Sequence, residues 1–520
     1  MADATDPDAP TAETTDAPDG GSATSGSDGG GGGGGGDAAS AHPSNASTVV
    51  PTESPVVVWA VAGVVLFALE AGAAANFAFS FLADCVGVVP APGAVATVKS
   101  TVIESLTAAA GAAGDVPTLL SRETIPNQGY WNGDAWVGTF LGLSPAASWA
   151  VRTALIYGYA FAFAGWAVLG YRLYRREYRA ADWTPRDDVV DRLRSHRWGL
   201  FGLTVVFMFV VMAVFAPALG PTTVDENMRN TYTNEVQYWD ADSGEVRTTL
   251  VGEANGASQS QGDDQRVMPL SYDDYDRYHP FGTDPSGRDL FTFIVAGSRI
   301  SLVIGLLSVG LSALLAASLA LVAAYYKGRV DLGMVLLSDA VMAMPQLLLL
   351  IMLTTVLADT AIGKIYSGGF VLALIFAGTG WTYMWRSLRG PALQVSERQW
   401  IDAARSFGQR PQTIMRKHML PYITGYLLIY GSMTLGGAII AIAGLSFLGL
   451  GVSPPTPEWG RAVNLGQPYV DTGSWHISLI PGLLITLVVT GFNALGDGIR
   501  DAIDPQSDSA GGTAGRGGGA

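Results

Sequence analysis

The chain has 520 residues, 49% of them hydrophobic, and a mean hydropathy of +0.28, which excludes an ordinary water-soluble protein of this length. Its net charge of −15 argues against nucleic acid as a partner, and its single cysteine, Cys85, excludes an intrachain disulfide or a cysteine-rich metal site. The apolar residues occur in runs of about 20, long enough to cross hydrocarbon roughly 30 Å thick. The sequence therefore predicts an integral membrane protein.

Acidic residues outnumber basic ones by 45 to 30, and only four of the basic residues are lysine. A composition rich in carboxylates and poor in lysine resembles that of proteins from organisms that hold molar salt in the cytoplasm. We therefore expect a halophilic source, which concerns the environment of the protein and not its activity.

Composition divides the chain into four segments. Residues 1–52 contain no Lys or Arg and include eight consecutive glycines ending at Gly36, so they cannot form a core. Residues 506–520 are also rich in Gly, Ser and Ala, and both tails are predicted to be disordered. Between them, we expect residues 53–180 to form an N-terminal transmembrane hairpin with an external loop. Residues 185–505 are expected to form the main transmembrane domain.

The apolar runs predict eight transmembrane helices and hence an all-α integral membrane protein, a polytopic helical bundle. The first run contains Glu70, whose burial in hydrocarbon costs a few kcal/mol unless it pairs with another helix. An interfacial first segment is the alternative. A true extra hairpin is preferred, because losing one span would place the arginine-rich link after the second span outside the cell. The predicted spans are about 56–82, 150–171, 198–219, 300–325, 332–358, 368–388, 422–446 and 477–496.

The distribution of basic residues sets the predicted orientation. Arginines crowd the link between spans two and three, and further basic residues follow span four and span six. With eight spans these segments fall on one side, which the positive-inside rule makes cytoplasmic together with both termini. The segment 220–298 is then external, and it carries 14 acidic residues against five arginines.

A polar segment of residues 396–421 lies between spans six and seven and is too long for a plain turn. Ser396 with Gln399 matches a capping box, so a helix is predicted to begin there. Gly408 can end that helix in a left-handed conformation, and Pro411 suits the first turn of a second helix. The segment therefore predicts a short helix-turn-helix on the cytoplasmic face.

The first of these two helices has features of a docking surface. Ala403 and Ala404 are small, so another protein can approach the helix backbone closely, and Asp402 offers a charge to an Arg or Lys of that partner. The alternative is an ordinary amphipathic loop helix.

The sequence DAARSFG followed by HMLP, with Gly408 six residues after Asp402 and Leu420–Pro421 twelve beyond, is similar to the EAA loop of binding-protein-dependent ABC importers. In that family the loop docks into a cleft on the ATP-binding subunit and transmits its closure. The resemblance thus implies an ATPase-coupling role for Asp402, Ala403, Ala404, Gly408, Leu420 and Pro421. This chain departs from the family by having Asp402 where Glu is usual, which keeps the charge and shortens its reach.

Three further segments resemble the peptide and nickel branch of the same family. They are HPFGTDPSGRDLFTFIVAGSRISL at 279–302, LSFLGLGVSPPTPEWG at 445–460 and FNALGDGIRDAIDP at 492–505. Together with the EAA-like loop they cover roughly residues 185–505, whereas residues 1–180 have no counterpart in the family pattern.

The first of these segments is interpreted as an outer-mouth motif. Asp284 can cap a helix that begins at Pro285, which would place an interfacial helix at the outer mouth. A metal site at Asp284 and Asp289 is the alternative, but no His or Cys is spaced to complete it. The motif residues are Gly282, Thr283, Asp284, Gly287, Arg288 and Asp289.

Two residues of the fifth predicted span are unusual within a membrane. Pro345 removes a backbone hydrogen bond and is expected to kink the helix. Asp339 either faces the translocation path or a hinge, or forms a structural bond between packed helices. Arg386 and Arg389 are expected only to anchor the cytoplasmic end of span six.

No enzyme chemistry is expected in this chain. It lacks the GxxxxGK[ST] sequence that cradles nucleotide phosphates, and its five histidines and one cysteine are scattered through loops. The resemblance implies a lipid-embedded complex with a second homologous permease, two ATP-binding subunits that hold ATP and Mg, and an extracellular substrate-binding protein. The implied substrates are short peptides, with nickel or other small solutes as alternatives.

Two other classes of protein remain open from the sequence. A secondary transporter would use Glu70 and Asp339 for ion coupling, but it would not need the EAA-like loop. A membrane scaffold or sensor would account for the N-terminal hairpin, but not for residues 279–505.

Overall fold

The computed structural model describes residues 55–88, 94–114, 116, 118–179, 185–357, 359–360, 362–363 and 365–503. The two predicted disordered tails lie outside these residues. Three two-stranded antiparallel sheets accompany the helices: β1 (Tyr130–Trp131) with β2 (Trp136–Val137), β3 (Glu235–Asp240) with β4 (Glu245–Leu250), and β5 (Ser271–Tyr272) with β6 (Tyr278–His279).

The described residues are mainly helical, as predicted. In chain order the helices are α1 (Pro55–Leu69), α2 (Ala71–Val88), α3 (Ala94–Gly114), α4 (Pro145–Glu177), α5 (Pro185–Ser195), α6 (Arg197–Val214), α7 (Ala216–Leu219), α8 (Val251–Ala257), α9 (Leu290–Tyr326), α10 (Gly328–Met342), α11 (Gln346–Leu357), α12 (Gly369–Ser396), α13 (Gln399–Ser406), α14 (Pro411–Ile414), α15 (Leu420–Phe447), α16 (Trp459–Gly466) and α17 (His476–Ile503).

Six of the described helices are long and apolar enough to cross a membrane: α4, α6, α9, α12, α15 and α17. The pair α10 and α11 makes a seventh span if the two helices, bent by 78° at Pro345, count as one. The predicted kink at Pro345 is therefore a complete break. The sequence predicted eight spans, and the difference lies in the first of them.

The first predicted span, residues 56–82, is divided into two helices at Glu70. α1 has 15 residues, and α2 begins directly after the turn. Glu70 is buried, and its Oε1 accepts a hydrogen bond from the backbone of Leu120 at 3.3 Å. The partner of this carboxylate is thus a loop 50 residues away and not another helix.

Two tryptophans join α1 to α4 in a reciprocal arrangement. The rings of Trp59 and Trp166 stack at 4.8 Å, and each indole N–H donates to the backbone oxygen of the other residue, at 3.0 and 2.9 Å. Gly63 lies under the ring of Trp166 and Gly170 under that of Trp59. The two helices therefore use the same WAVxG sequence, at 59–63 and 166–170, to form one crossing.

The centre of the bundle is built on α9, which packs against α6, α12 and α15. Its buried face includes many small residues, which let neighbouring helices approach closely. Where α6 meets α17, Gly199 and Gly498 face each other so closely that a Cβ on Gly498 would lie 2.6 Å from Gly199 Cα. Large buried side chains fill the remaining core, among them Phe209, Phe293, Trp385, Trp459 and Phe492.

The connections gather at two ends of the bundle. At one, which we call the loop-rich end, residues 118–144, 215–289 and 448–475 meet. Asn127 donates to Pro221 O at 3.0 Å, and the backbone of Gly262 donates to Ser474 Oγ at 3.1 Å. The opposite end, which we call the coupling-loop end, carries α13 and α14.

Candidate functional site: the coupling loop, the outer-mouth turn and a charged face

The structure places a helix-turn-helix in the predicted segment, but with a different beginning. Ser396 is the last residue of α12, and its hydroxyl donates to Leu393 O at 2.8 Å. The predicted capping box of Ser396 and Gln399 is therefore wrong, because the preceding helix extends through Ser396. α13 begins at Gln399 after an extended Arg398.

The turn after α13 agrees with the sequence. Gly408 has a φ of 71°, and its N–H bonds to Arg405 O at 2.9 Å, as in a left-handed helix end. Pro411 lies in the first turn of α14. α14 continues through a π turn into α15, whose first residues are Leu420 and Pro421. The predicted motif is thus continuous with a membrane-crossing helix.

α13 is fixed to the bundle on one side and open on the other. Arg405 lies 4.6 Å from the ring centroid of Tyr325 at the end of α9 and donates to its backbone oxygen at 3.3 Å. Ala404 is buried against the bundle, so of the two small residues only Ala403 is open to a partner. Asp402 is also exposed, and Phe407 has 86% of its surface exposed.

The predicted outer-mouth helix at Pro285 is not formed. Asp284 Oδ1 instead accepts from the backbone of Ser286 and Arg288, at 2.7 and 3.0 Å, and closes a turn. Gly282 and Gly287 have φ values of 77° and 75°, so the chain reverses there. Residues Thr283 and Asp289 form a β-bridge across this turn.

Asp289, and not Asp284, caps the helix that follows. Its Oδ1 accepts from Thr292 N at 2.6 Å at the start of α9. The side-chain amide of Asn227 holds the backbone of Asp289: its Oδ1 accepts from Asp289 N at 2.9 Å, and its Nδ2 donates to Asp289 O at 3.1 Å. The correct cap depends on a residue 62 positions away in the chain, which a local sequence pattern cannot reveal.

His279 joins this cap to a second carboxylate. Its Nδ1 lies 2.9 Å from Asp289 Oδ2, and its Nε2 lies 3.3 Å from Asp273 Oδ2. Burial alone would lower the pKa of His279, but its hydrogen bonds with the two carboxylates raise it. Burial opposes ionisation of Asp273, but His279 and Arg277 hold its pKa well below its usual range.

The metal alternative receives no support. Within the described part of the chain, no group of three His, Cys, Asp or Glu side chains is arranged to hold a metal ion. Asp284 accepts a hydrogen bond within its own turn, whereas Asp289 caps α9 and contacts His279. The sequence reasoning missed His279, although it stands in the first position of the motif that carried the resemblance.

Two ion pairs connect α10 with α12 on the side of the α10–α11 break that faces the coupling-loop end. Arg386 pairs with Asp339, and Arg389 pairs with Asp331. These arginines therefore do more than anchor the helix end, because each has a carboxylate partner on the neighbouring helix. The Asp339 and Arg386 side chains are 50% and 47% exposed, whereas Asp331 is only 17% exposed.

A buried arginine that the sequence analysis did not single out links the N-terminal region to the rest of the protein. Arg152 is fully buried in α4 and donates to Ile125 O, Asn127 Oδ1 and Gly220 O at 3.1, 2.7 and 2.9 Å. A charged residue within an apolar run is the signal that could have identified it.

Comparison with known proteins identifies relatives for most of the main domain. Residues 310–508 match the family described as binding-protein-dependent transport system inner membrane component. Residues 184–236 match the N-terminal transmembrane domain of oligopeptide transport permease C.

Individual curated proteins agree with these family matches. A dipeptide transport system permease of Bacillus subtilis is 33% identical over 319 residues, which cover 61% of this chain and 85% of that protein. An oligopeptide transport system permease of the same organism is 30% identical over 319 residues, covering 61% and 89%. A glutathione transport system permease of Pectobacterium atrosepticum is 36% identical over 255 residues, covering 47% and 82%.

Proposed function

The chain belongs to the binding-protein-dependent ABC permease family, and from this premise we propose that it carries di- or oligopeptides across the cell membrane. It is the membrane-embedded permease subunit, and the energy comes from ATP hydrolysis in separate subunits. The proposed assembly contains a second homologous permease, two ATP-binding subunits that hold ATP and Mg, and an extracellular substrate-binding protein. The peptide substrate is proposed because two of the relatives are named for dipeptide and oligopeptide transport.

The observation that carries this proposal is the open side of α13. Asp402, Ala403 and Phe407 face away from the bundle, while Arg405 holds the other side of the helix to Tyr325. An ATPase subunit that grips the open side would therefore pull on α9 through Arg405. It would also pull on α15, because α14 runs into that helix. Closure of the ATPase pair would reach the spans by these two routes and rock them between inward and outward access.

The proposed orientation follows from charge. The coupling-loop end is cytoplasmic, because the basic links of the sequence lie there. Both termini share that side in this proposal, which requires the shorter apolar helix α1 to cross the membrane as the eighth span. The acidic segment 220–298 lies at the loop-rich end and faces outside, where a substrate-binding protein would deliver its cargo. The lysine-poor, acidic surface fits a high-salt environment.

Two variants of Gly408 test the coupling. Its φ of 71° suits glycine and is tolerated by asparagine, but it is costly for a β-branched residue. No heavy atom of the described residues lies within 4 Å of a Cβ added there, so backbone strain is the main local effect. We expect Gly408→Val to lower ATP-dependent dipeptide uptake in the native cells at least tenfold, while Gly408→Asn stays near the wild-type rate.

Membrane content of both variants, measured by immunoblot, controls for insertion. Wild-type uptake by Gly408→Val at equal membrane content would contradict the docking role of the loop. Uptake of nickel or another small solute in place of dipeptides would retain the permease assignment and overturn the peptide substrate.

A further inference from the structure

The break between α10 and α11 exposes irregular backbone near the middle of the bundle. Gln346 Nε2 donates to Thr379 Oγ1 at 3.3 Å, which sets the break level with the middle part of α12. Residues 343–345, which form the break, are all exposed. Backbone that leaves its helix at membrane depth is not stable against lipid. It is tolerated only where it lines a water-filled cavity or is covered by protein.

The ion pair of Asp339 and Arg386 lies beside this break. Arg386 Nε donates to Ser338 Oγ at 3.3 Å, and its Nη2 donates to Asp339 Oδ1. Asp339 Oδ2 and Arg386 Nη1 have no hydrogen-bond partner among the described residues, and both side chains are about half exposed. Charges exposed at this depth are costly in lipid. The exposed backbone of the break and the exposed ion pair of Asp339 and Arg386 therefore each require water or protein against this face of α10 and α12.

Neighbouring side chains favour water at this face. A crevice beside the break is lined in part by Gln346, Thr379, Thr382 and Tyr383. Tyr383 is 56% exposed, one turn of α12 before Arg386. Thr379 and Thr382 are buried and apolar side chains complete the lining, but Gln346 and Tyr383 are exposed. These two polar side chains distinguish the face from the exposed surface of α9 at the same level, which is apolar, as at Leu314.

We propose that the α10–α11 break and α12 line the translocation path, where Asp339 and Arg386 receive the ammonium and carboxylate groups of a passing peptide. This assignment rests on the proposed peptide transport. A zwitterion that leaves bulk water needs polar partners in place of its lost hydration. The open oxygen of Asp339 accepts from the ammonium group, and the open Nη1 of Arg386 donates to the carboxylate. Since the two residues also neutralise each other, neither holds the peptide so tightly that it cannot leave.

Water accessibility tests the position of this face without any transport measurement. In a Cys85→Ser background, Met344→Cys at the break is compared with Leu314→Cys on α9. The two positions lie at one level, because α12 beside the break contacts α9 at Ser312, where a Cβ added to Gly380 would lie 3.2 Å from Ser312 Oγ. Native membranes that contain the whole complex are treated with a membrane-impermeant, charged thiol reagent. We expect Met344→Cys to react at least ten times faster than Leu314→Cys. Equal rates would show that lipid or protein covers the break, and would overturn the proposal.

The charge assignment is tested against a matched ion pair on the same two helices. If Asp339 and Arg386 only clamp α10 to α12, their removal should cost less than that of the less exposed pair, Asp331 and Arg389. If they meet the peptide, the ranking reverses. We expect Asp339→Asn and Arg386→Gln to lower dipeptide uptake per folded transporter at least tenfold, and Asp331→Asn and Arg389→Gln to lower it less than threefold. An equal or opposite ranking would overturn the peptide contact.

The two experiments separate this inference from the function on which it rests. Absence of dipeptide uptake by the wild-type complex would refute the proposed substrate. A tenfold labelling ratio in that case would still support a water-filled path at the break and would exclude its peptide role.

Discussion

His279 Nδ1 lies 2.9 Å from Asp289 Oδ2, while the other oxygen of Asp289 caps α9. The remaining ring nitrogen faces Asp273. Because both ring nitrogens meet carboxylates, the protonated imidazole is the form that satisfies the site. One histidine therefore ties the start of a central transmembrane helix to the loop-rich end.

This relationship predicts a pH dependence of stability. The folded-state pKa of His279 is raised, so its stabilising effect is complete below its unfolded pKa and is lost as pH rises through the folded value. Asp273, whose pKa is lowered, acts in the opposite direction and only in acid. We expect the thermal midpoint of the purified complex to fall above about pH 6.5, and His279→Gln to remove this part of the fall.

Glu458 provides the control, because burial raises its pKa to about 7 and it titrates in an overlapping range. Ionisation of Glu458 lowers the stability of the folded protein as pH rises from the pKa of this residue in the unfolded chain towards its folded-state pKa of about 7. Glu458→Gln should reduce the pH dependence of the thermal midpoint in that lower range. It should leave the dependence that is due to His279 unchanged. A midpoint that depends on pH equally in wild type and His279→Gln would refute the role of His279.

A glycine in the outer-mouth turn should be intolerant of a side chain. A Cβ on Gly287 would lie 1.7 Å from Asn255 O, and φ there is 75°. Gly244 has a similar φ of 68°, but an added Cβ would meet no described heavy atom within 4 Å. Gly244→Ala should therefore cost only the left-handed strain of about 1–2 kcal/mol. Gly287→Ala should lower the thermal midpoint at least twice as far, and equal shifts would contradict the close contact.

A glycine where α1 crosses α4 should be similarly intolerant of a side chain. A Cβ on Gly63 would lie 2.5 Å from the ring of Trp166, whereas one on Gly165 would meet no described atom within 4 Å. Gly63→Val should separate α1 from α4 and disrupt the stack, which near-ultraviolet circular dichroism of the tryptophans would detect. Gly165→Val serves as the control and should leave that signal unchanged. Loss of the signal in both variants would indicate a general effect on helix stability.

Arg152 should stabilise the folded state through its three hydrogen bonds and not through its charge alone. Its replacement by Met leaves the three oxygens that it now satisfies without their donor, at a cost of about 1–3 kcal/mol each. Arg172, exposed near the end of the same helix, supplies the control. We expect Arg152→Met to reduce the yield of monodisperse complex in size-exclusion chromatography severalfold, and Arg172→Met to have little effect. Similar yields would contradict the structural role of Arg152.

The sequence predicted best what depends on local composition. The spans predicted at 198–219 and 422–446 correspond to α6 and α15, because an uninterrupted apolar run determines both. Gly408 and Pro411 were also interpreted correctly, since their backbone preferences act within one turn. The all-α membrane fold follows from such runs.

Features decided by distant contacts could not be predicted. Asp284 and Asp289 both precede residues that can start a helix, and Asn227 and His279 select the second. The hydrogen bond that Glu70 accepts comes from Leu120, 50 residues away. The pairing of Asp339 with Arg386 likewise required the packing of α10 against α12. Coupling-site residues that the sequence named do cluster at one end, but their contact with an ATPase remains a prediction.

In the mechanism that we propose, this chain is a permease that works with separate ATPase subunits through α13. The most direct test is to purify the tagged chain in mild detergent from its native membranes at native salt, and to identify the bound proteins by mass spectrometry. We predict two ATP-binding subunits and a second permease with the wild-type chain. A chain that purifies without an ATPase at every salt concentration tried would contradict the account.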